Sequence, residues 1–176
     1  EVLKPYSSAR DEFIGEAEVY LDANENPFGN GLNRYPDPYQ LELKNKISKI
    51  KNINKDSIIL GNGSDEVIDL LFRAFCEPST DEVIILPPTY GMYQVCADIN
   101  NVKIKKVSLT SDFEVDETSL LKNINNNTKI IWFCSPNNPT GNTMDPVVIK
   151  NILNSFEGIV VIDEAYIDFS DSQSWI

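Results

Sequence analysis

The chain contains no histidine. That single absence removes imidazole acid–base catalysis, Ser–His triads and histidine-based metal sites together. Cysteine is scarce and odd in number: Cys76, Cys96 and Cys134 each lie in apolar stretches and none forms a C-x-x-C pair. Buried thiols in a reducing compartment are therefore expected. Positive charge is also short, with 15 Lys+Arg against 27 Asp+Glu and a net charge of −12. A chain so acidic is not expected to take nucleic acid or an anionic membrane as its principal partner, since both need a basic face. No apolar run approaches the ~20 residues of a membrane span, and no stretch reads as a signal peptide. A cytoplasmic protein is the resulting expectation.

What is present suffices for one domain with a real core: 176 residues, 41% of them hydrophobic. Residues 1–38 read as an N-terminal arm, because Pro5, Pro27, Pro36 and Pro38 with Gly29 and Gly31 interrupt them too often for regular structure. Val19-Tyr20-Leu21 is a candidate short strand within it. Residues 39–176 alternate between strand-like and helix-like patterns. Tyr39–Lys51 carries Leu41, Leu43, Ile47 and Ile50 at helical spacing. Strands are expected at Ile58–Leu60, Glu82–Leu86, Val102–Leu109, Ile130–Cys134 and Ile159–Ile162, separated by helices. The helix before Asn100 is expected to bury Val95, Cys96 and Ile99. The order β-α-β-α-β-α-β-α-β predicts an α/β fold, a mostly parallel sheet covered by helices on both faces.

Ile159-Val160-Val161-Ile162 reads as a strand buried on both faces, and it runs straight into Asp163. A carboxylate there calls for a cation or a cofactor, although a turn or capping aspartate fits the segment equally well. Gly61-Asn62-Gly63-Ser64 between a strand and a helix makes a phosphate-binding geometry, free N–H groups meeting the positive end of a helix dipole. Alone that signal is weak, since Ser64 as a simple helix cap explains the same residues. The decisive pattern is shared position: Ser64, Tyr90, Asn138 and Asp163 each follow the carboxyl end of an expected strand, the edge where ligands of open α/β sheets bind. A helix N-terminus suits a phosphate, Tyr90 offers a face to a flat ring, and Asp163 suits a buried cation. Asn138 and Tyr166 offer hydrogen bonds to a ring oxygen. Pyridoxal 5'-phosphate meets that whole list.

The runs Ser135-Pro136-Asn137-Asn138-Pro139-Thr140-Gly141 and Asp163-Glu164-Ala165-Tyr166 resemble the fold-type-I pyridoxal-phosphate aminotransferases. Asn24-Glu25-Asn26-Pro27, Asn33-Arg34-Tyr35-Pro36 and Pro87-Pro88-Thr89-Tyr90-Gly91-Met92-Tyr93 are similar to the histidinol-phosphate branch of that family. The resemblance implies an α/β/α cofactor-binding large domain, incomplete here, and a homodimer. It implies Asp163 at the pyridine nitrogen, Tyr166 and Asn138 at the phenolic oxygen and Tyr90 stacked on the ring. The amides of Ser64, Asp65 and Glu66 would hold the cofactor phosphate, and Tyr35 would reach the phosphate of the neighbouring subunit's cofactor. Tyr6 and Asn24 fall in the segments that meet substrate. The implied reaction moves an amino group between histidinol phosphate or imidazole acetol phosphate and glutamate or 2-oxoglutarate, in histidine biosynthesis. It further implies a cis peptide at Asn138–Pro139.

The sequence departs from the pattern in what the resemblance would place later in the chain: the arginine that holds the substrate carboxylate, two further strands, the small domain and, above all, the catalytic lysine. The Schiff-base lysine of such enzymes lies in a Ser-x-Ser-Lys segment well beyond Asp163, and no such segment occurs in these residues. The expectation is an N-terminal fragment with negligible turnover. Another fold-type-I enzyme, an aromatic aminotransferase or a phosphothreonine decarboxylase, is the nearest alternative. A non-catalytic binding fragment is the alternative of a different class.

Overall fold

The computed structural model describes residues 4, 6–15 and 17–176. At its centre lies a four-stranded sheet, β1 (Glu82–Ile85), β2 (Lys103–Lys106), β3 (Thr128–Cys134) and β4 (Ile159–Asp163), in the order β2-β1-β3-β4. All three pairings are parallel, with Ile84 opposite Lys105 and Ile131, and Cys134 opposite Asp163. Helices cover both faces, so the three-layer α/β/α expectation is met.

Side-chain alternation along the strands divides the core in two. Val83, Ile85, Ile130 and Trp132 face Ile68 and Phe72 of α3 (Ser64–Phe75) and Tyr93, Cys96 and Ala97 of α4 (Met92–Ile99). Ile84, Ile131 and Phe133 face Leu120 of α5 (Glu117–Asn123) and Ile149 and Ile152 of α6 (Pro146–Ser155). Helix starts follow the expected chemistry: Asp116 accepts from the Ser119 amide at 2.9 Å, and Asp145 accepts from Val147 ahead of Pro146. The cysteines are free and buried, as anticipated.

The connectivity positions the site. From β1 the chain crosses to β2 on one side, then returns past β1 to β3 and on to β4. The connection after β1 enters α4 on one face, and that after β3 enters α6 on the other. Their carboxyl ends therefore diverge, which opens a crevice between β1 and β3 at the topological switch point.

Several expectations need correction. Ile58–Leu60 joins no sheet, so among the described residues four strands form and not five. A strand exists only through its ladder, and no described residue pairs with this one. Val19-Tyr20-Leu21 is not a strand for the same reason. Among the arm's described residues the one regular element is α1 (Ala9–Glu12), and α2 (Leu41–Lys51) follows the arm. β4 is half-buried at every residue, because it is the edge strand and not a central one. In α4 the buried face is Tyr93, Cys96 and Ala97, while Val95 and Ile99 are 44% and 66% exposed. There the larger aromatic at i, i+3, i+4 spacing took the core. β2 proper is shorter than the expected Val102–Leu109, but Val107 and Leu109 continue its hydrogen bonding to Ile85 and Pro87 at 3.1 and 2.8 Å.

Candidate active site

The first wall of the site is the start of α3. Gly63, with φ of +81°, occupies the N-cap position, a backbone conformation glycine adopts without penalty. Gly61 is required by space: a Cβ there would lie 2.8 Å from Val67 Cγ2. Ser64 is the first helical residue and its side chain caps nothing. The capping reading of Ser64 is thereby replaced. Glu66 instead fastens the preceding turn, its carboxylate accepting from the Asn62 amide and, at 3.1 Å, from Asn62 Nδ2. The amides of Ser64, Asp65 and Glu66 lie in the first helical turn, where N–H groups have no intrahelical acceptor.

The second wall comes from the turn after β1. Tyr90 Oη donates to Asp65 Oδ1 at 2.9 Å, which ties this turn to α3. The Asp65 carboxylate, followed by burial, raises the Tyr90 phenol above its ordinary range. Tyr90 meets Tyr93 edge-to-face at 5.7 Å, and Tyr93 stacks on Trp132 at 4.8 Å. Tyr93 Oη donates to Asp163 Oδ2 at 2.7 Å. Burial first, then the neighbouring Cys134 and Asp163, push the Tyr93 phenol far above its ordinary value, so it remains a protonated donor. The other carboxylate oxygen, Asp163 Oδ1, accepts from the Ala165 amide at 3.1 Å. Among the described residues no cation pairs with Asp163.

The third wall is the turn after β3. The Ser135 amide donates to the Asp163 carbonyl at 2.9 Å, so this turn leaves the sheet alongside β4. Buried Asn137 is its fastener. Thr89 Oγ1 donates to Asn137 Oδ1 at 3.1 Å, and Asn137 Nδ2 donates to the Pro88 carbonyl at 2.9 Å, spanning the switch-point crevice. The Asn138–Pro139 peptide is cis, as expected, and so are Pro87–Pro88 and Ser135–Pro136. Asn138 and Tyr166 line one open cleft of about 370 Å³ with Pro136, Gly141 and Phe169.

Asp65, Tyr90 and Asp163 are thus joined through Tyr93 in one chain of contacts, Ser64 and Glu66 flank Asp65 on α3, and Asn138 and Tyr166 share the neighbouring cleft. The arm residues stand apart. Tyr6, Asn24 and Tyr35 line a separate hollow of about 940 Å³, to which no rim residue contributes. Sequence reasoning missed the roles of Tyr93 and Asn137. Tyr93 is recognisable only once the helical phase of α4 is known. Asn137 is masked by standing next to Asn138.

Residues 16–175 match the aminotransferase class I and II family. The chain belongs to that family. It is 62% identical over 176 residues to a histidinol-phosphate aminotransferase of Christiangramia forsetii, covering 99% of this chain and 50% of the relative. A histidinol-phosphate aminotransferase of Flavobacterium psychrophilum is 58% identical over 99% of this chain and 51% of its own length. The chain thus spans about half the length of the curated relatives it matches. In structure it is similar to the histidinol-phosphate aminotransferase of Clostridium acetobutylicum, with a TM-score of 0.71 and 28% identity over 82% of this chain and 43% of that one. The family is one that depends on pyridoxal phosphate. Among the described residues no helix is long and apolar enough to cross a membrane, and no cluster suited to a metal ion is present.

Proposed function

We propose that this chain supplies the cofactor-gripping half of an aminotransferase acting on histidinol phosphate or imidazole acetol phosphate, with glutamate or 2-oxoglutarate as the other partner. The observation that carries the reading is the charge character of the rim. A carboxylate at the end of β4, a set of free helix amides and neutral phenols match a cationic ring nitrogen, a phosphate and an aromatic face respectively. When bound, pyridoxal phosphate supplies an electron-withdrawing ring that stabilises negative charge at a substrate carbon.

In this reading Asp163 holds the proton on the ring nitrogen, and Tyr166 and Asn138 donate to the ring's phenolic oxygen. Tyr90 lies against the ring, with its hydroxyl anchored on Asp65. The amides of Ser64, Asp65 and Glu66 receive the phosphate. Tyr35 serves the cofactor phosphate of a second subunit, and Tyr6 and Asn24 meet the substrate. The separate arm hollow supports that assignment, because residues built to act across a dimer need not reach their own rim. An arm over residues 1–38, a cofactor-binding domain from 39 to 176, a homodimer and a cytoplasmic location belong to the same reading. No lysine lines the cleft beside Asn138 and Tyr166, and these residues by themselves are expected to bind without turnover.

The test is equilibrium binding of pyridoxal phosphate followed by its absorbance. Asp163→Asn should weaken binding at least about tenfold, the effect of losing one charge-assisted interaction. Unchanged affinity in that variant would remove Asp163 from the site and the reading with it.

A further inference from the structure

We propose that Tyr93, to which the family reading assigns no role, is a positioning residue that acts on the cofactor's ring nitrogen through Asp163. The inference rests on the cofactor reading above. Its starting point is geometric: a wholly buried tyrosine directs its single hydroxyl proton at Asp163 Oδ2 from 2.7 Å. The phenol cannot swing away. Its ring is stacked on Trp132 at 4.8 Å and capped by the edge of Tyr90 at 5.7 Å. The carboxylate's second oxygen is fixed by the Ala165 amide. Two donors on two elements, α4 and the turn after β4, therefore set the plane of the carboxylate.

The groups that face this hydroxyl–carboxylate pair are the Cys134 thiol from β3 and the Tyr90 phenol, with Asp65 and Tyr166 beyond Tyr90. None is a cation. A carboxylate left with two neutral donors keeps its charge available for a positive partner arriving from the cleft, in the orientation the donors dictate. Tyr93 supplies the donor that a cation would otherwise supply, without neutralising Asp163. The effect is selective at the hydroxyl. The ring packs on Trp132 and Tyr90, and the oxygen also lies beside the Cys134 thiol. Of the groups the hydroxyl meets, only Asp163 is placed at the ring nitrogen in the cofactor reading, so removing that oxygen should act there.

That selectivity gives the test. Dissociation constants of the purified protein are measured for pyridoxal phosphate and for 1-deazapyridoxal phosphate, which has carbon where the ring nitrogen would be. Tyr93→Phe, which removes one oxygen and keeps the ring, should weaken pyridoxal phosphate about tenfold while changing the deaza analogue less than about twofold. Trp132→Phe disturbs the stack beneath Tyr93 and retains the hydroxyl, so it should not alter the ratio of the two constants. Equal losses for both ligands in Tyr93→Phe, or the same ratio change in Trp132→Phe, would reduce Tyr93 to packing and overturn the proposal. Asp163→Asn separates the two levels. If it abolishes the preference for the nitrogen-bearing ring while Tyr93→Phe leaves it intact, the Tyr93 role alone fails. If Asp163→Asn also leaves the preference intact, the cofactor reading fails and this inference falls with it.

Discussion

The rim and the arm solve the same problem, holding polar side chains in place, by opposite means. At the rim, Tyr90 and Asn138 follow strands whose apolar bodies are packed out of water, and Asp163 ends the half-buried β4. Trp132, Tyr93 and Phe72 form a continuous aromatic stack directly beneath, with ring centroids 4.8 and 5.6 Å apart. Among the arm's described residues there is no such foundation. Its order comes from charge: Arg10 forks onto Asp22 at 2.6 and 2.8 Å, and Arg34 meets Glu25 at 2.6 Å. Arg10 also lies 4.3 Å above the Tyr20 ring, and Glu25 accepts the Tyr35 amide at 2.8 Å. Arg34, with that amide, holds the Glu25 carboxyl below its ordinary range. Burial anchors the rim whatever the salt, whereas a charge network whose arginines stand open to water around a covered Glu25 weakens as the ionic strength rises.

The comparison breaks most visibly at the aromatic stack. Trp132→Ala should destabilise the domain by about 3–5 kcal/mol in denaturant unfolding, because the large buried ring leaves a cavity that the sheet cannot close. The arm network should be untouched. Gly61→Ala comes next, at roughly 1–3 kcal/mol, since its Cβ must displace Val67. Its loss should appear in thermal melting together with weakened phosphate binding.

A pH series sharpens the contrast from the other end of the sheet. Glu82 is buried, which by itself would raise its carboxyl, but Lys105 at 2.6 Å with Thr128 and Asn125 takes it below the ordinary 4.5. A group depressed in the folded state stabilises fully above its unfolded value and loses that contribution as pH falls through the folded one. Unfolding free energy should therefore drop below about pH 4.5, and Glu82→Gln should flatten that part of the profile. The smallest effect belongs to the arm. Glu25→Gln should leave the melting transition unchanged, yet raise the rate of tryptic cleavage at Arg10 and Arg34 by about two- to fivefold. Salt near 1 M should have the same effect on the parent protein.

How much of this was legible beforehand follows from which interactions are local. Strand patterns such as Val83-Ile84-Ile85 and Ile130 to Cys134 are written in adjacent residues and were readable. The positions of Tyr90, Asn138 and Asp163 at strand ends were readable too, whereas Ser64 follows Ile58–Leu60, which pairs with no strand among the described residues. Strand membership of Ile58–Leu60 was not readable, since pairing depends on a distant partner. Nor was the buried face of α4, where Val95 and Ile99 lost to Tyr93 and Ala97 through packing against Trp132 and Phe72. The fastening of the β1 and β3 turns by Asn137 lies across 48 residues to Thr89, a distance at which spacing carries no information.

The two borders of the sheet differ in a way that bears on the site. The β2 border carries Lys103, Lys105 and Lys106, charges that discourage another strand from adding there. The β4 border is Ile159-Val160-Val161-Ile162, an aliphatic row without that protection and with no strand beyond it among the described residues. Any strand that docks on it in the direction of the others will finish beside Asp163. Whatever side chain it carries at that end becomes a neighbour of the carboxylate, so the least guarded margin of this sheet is also a direct way into its chemistry.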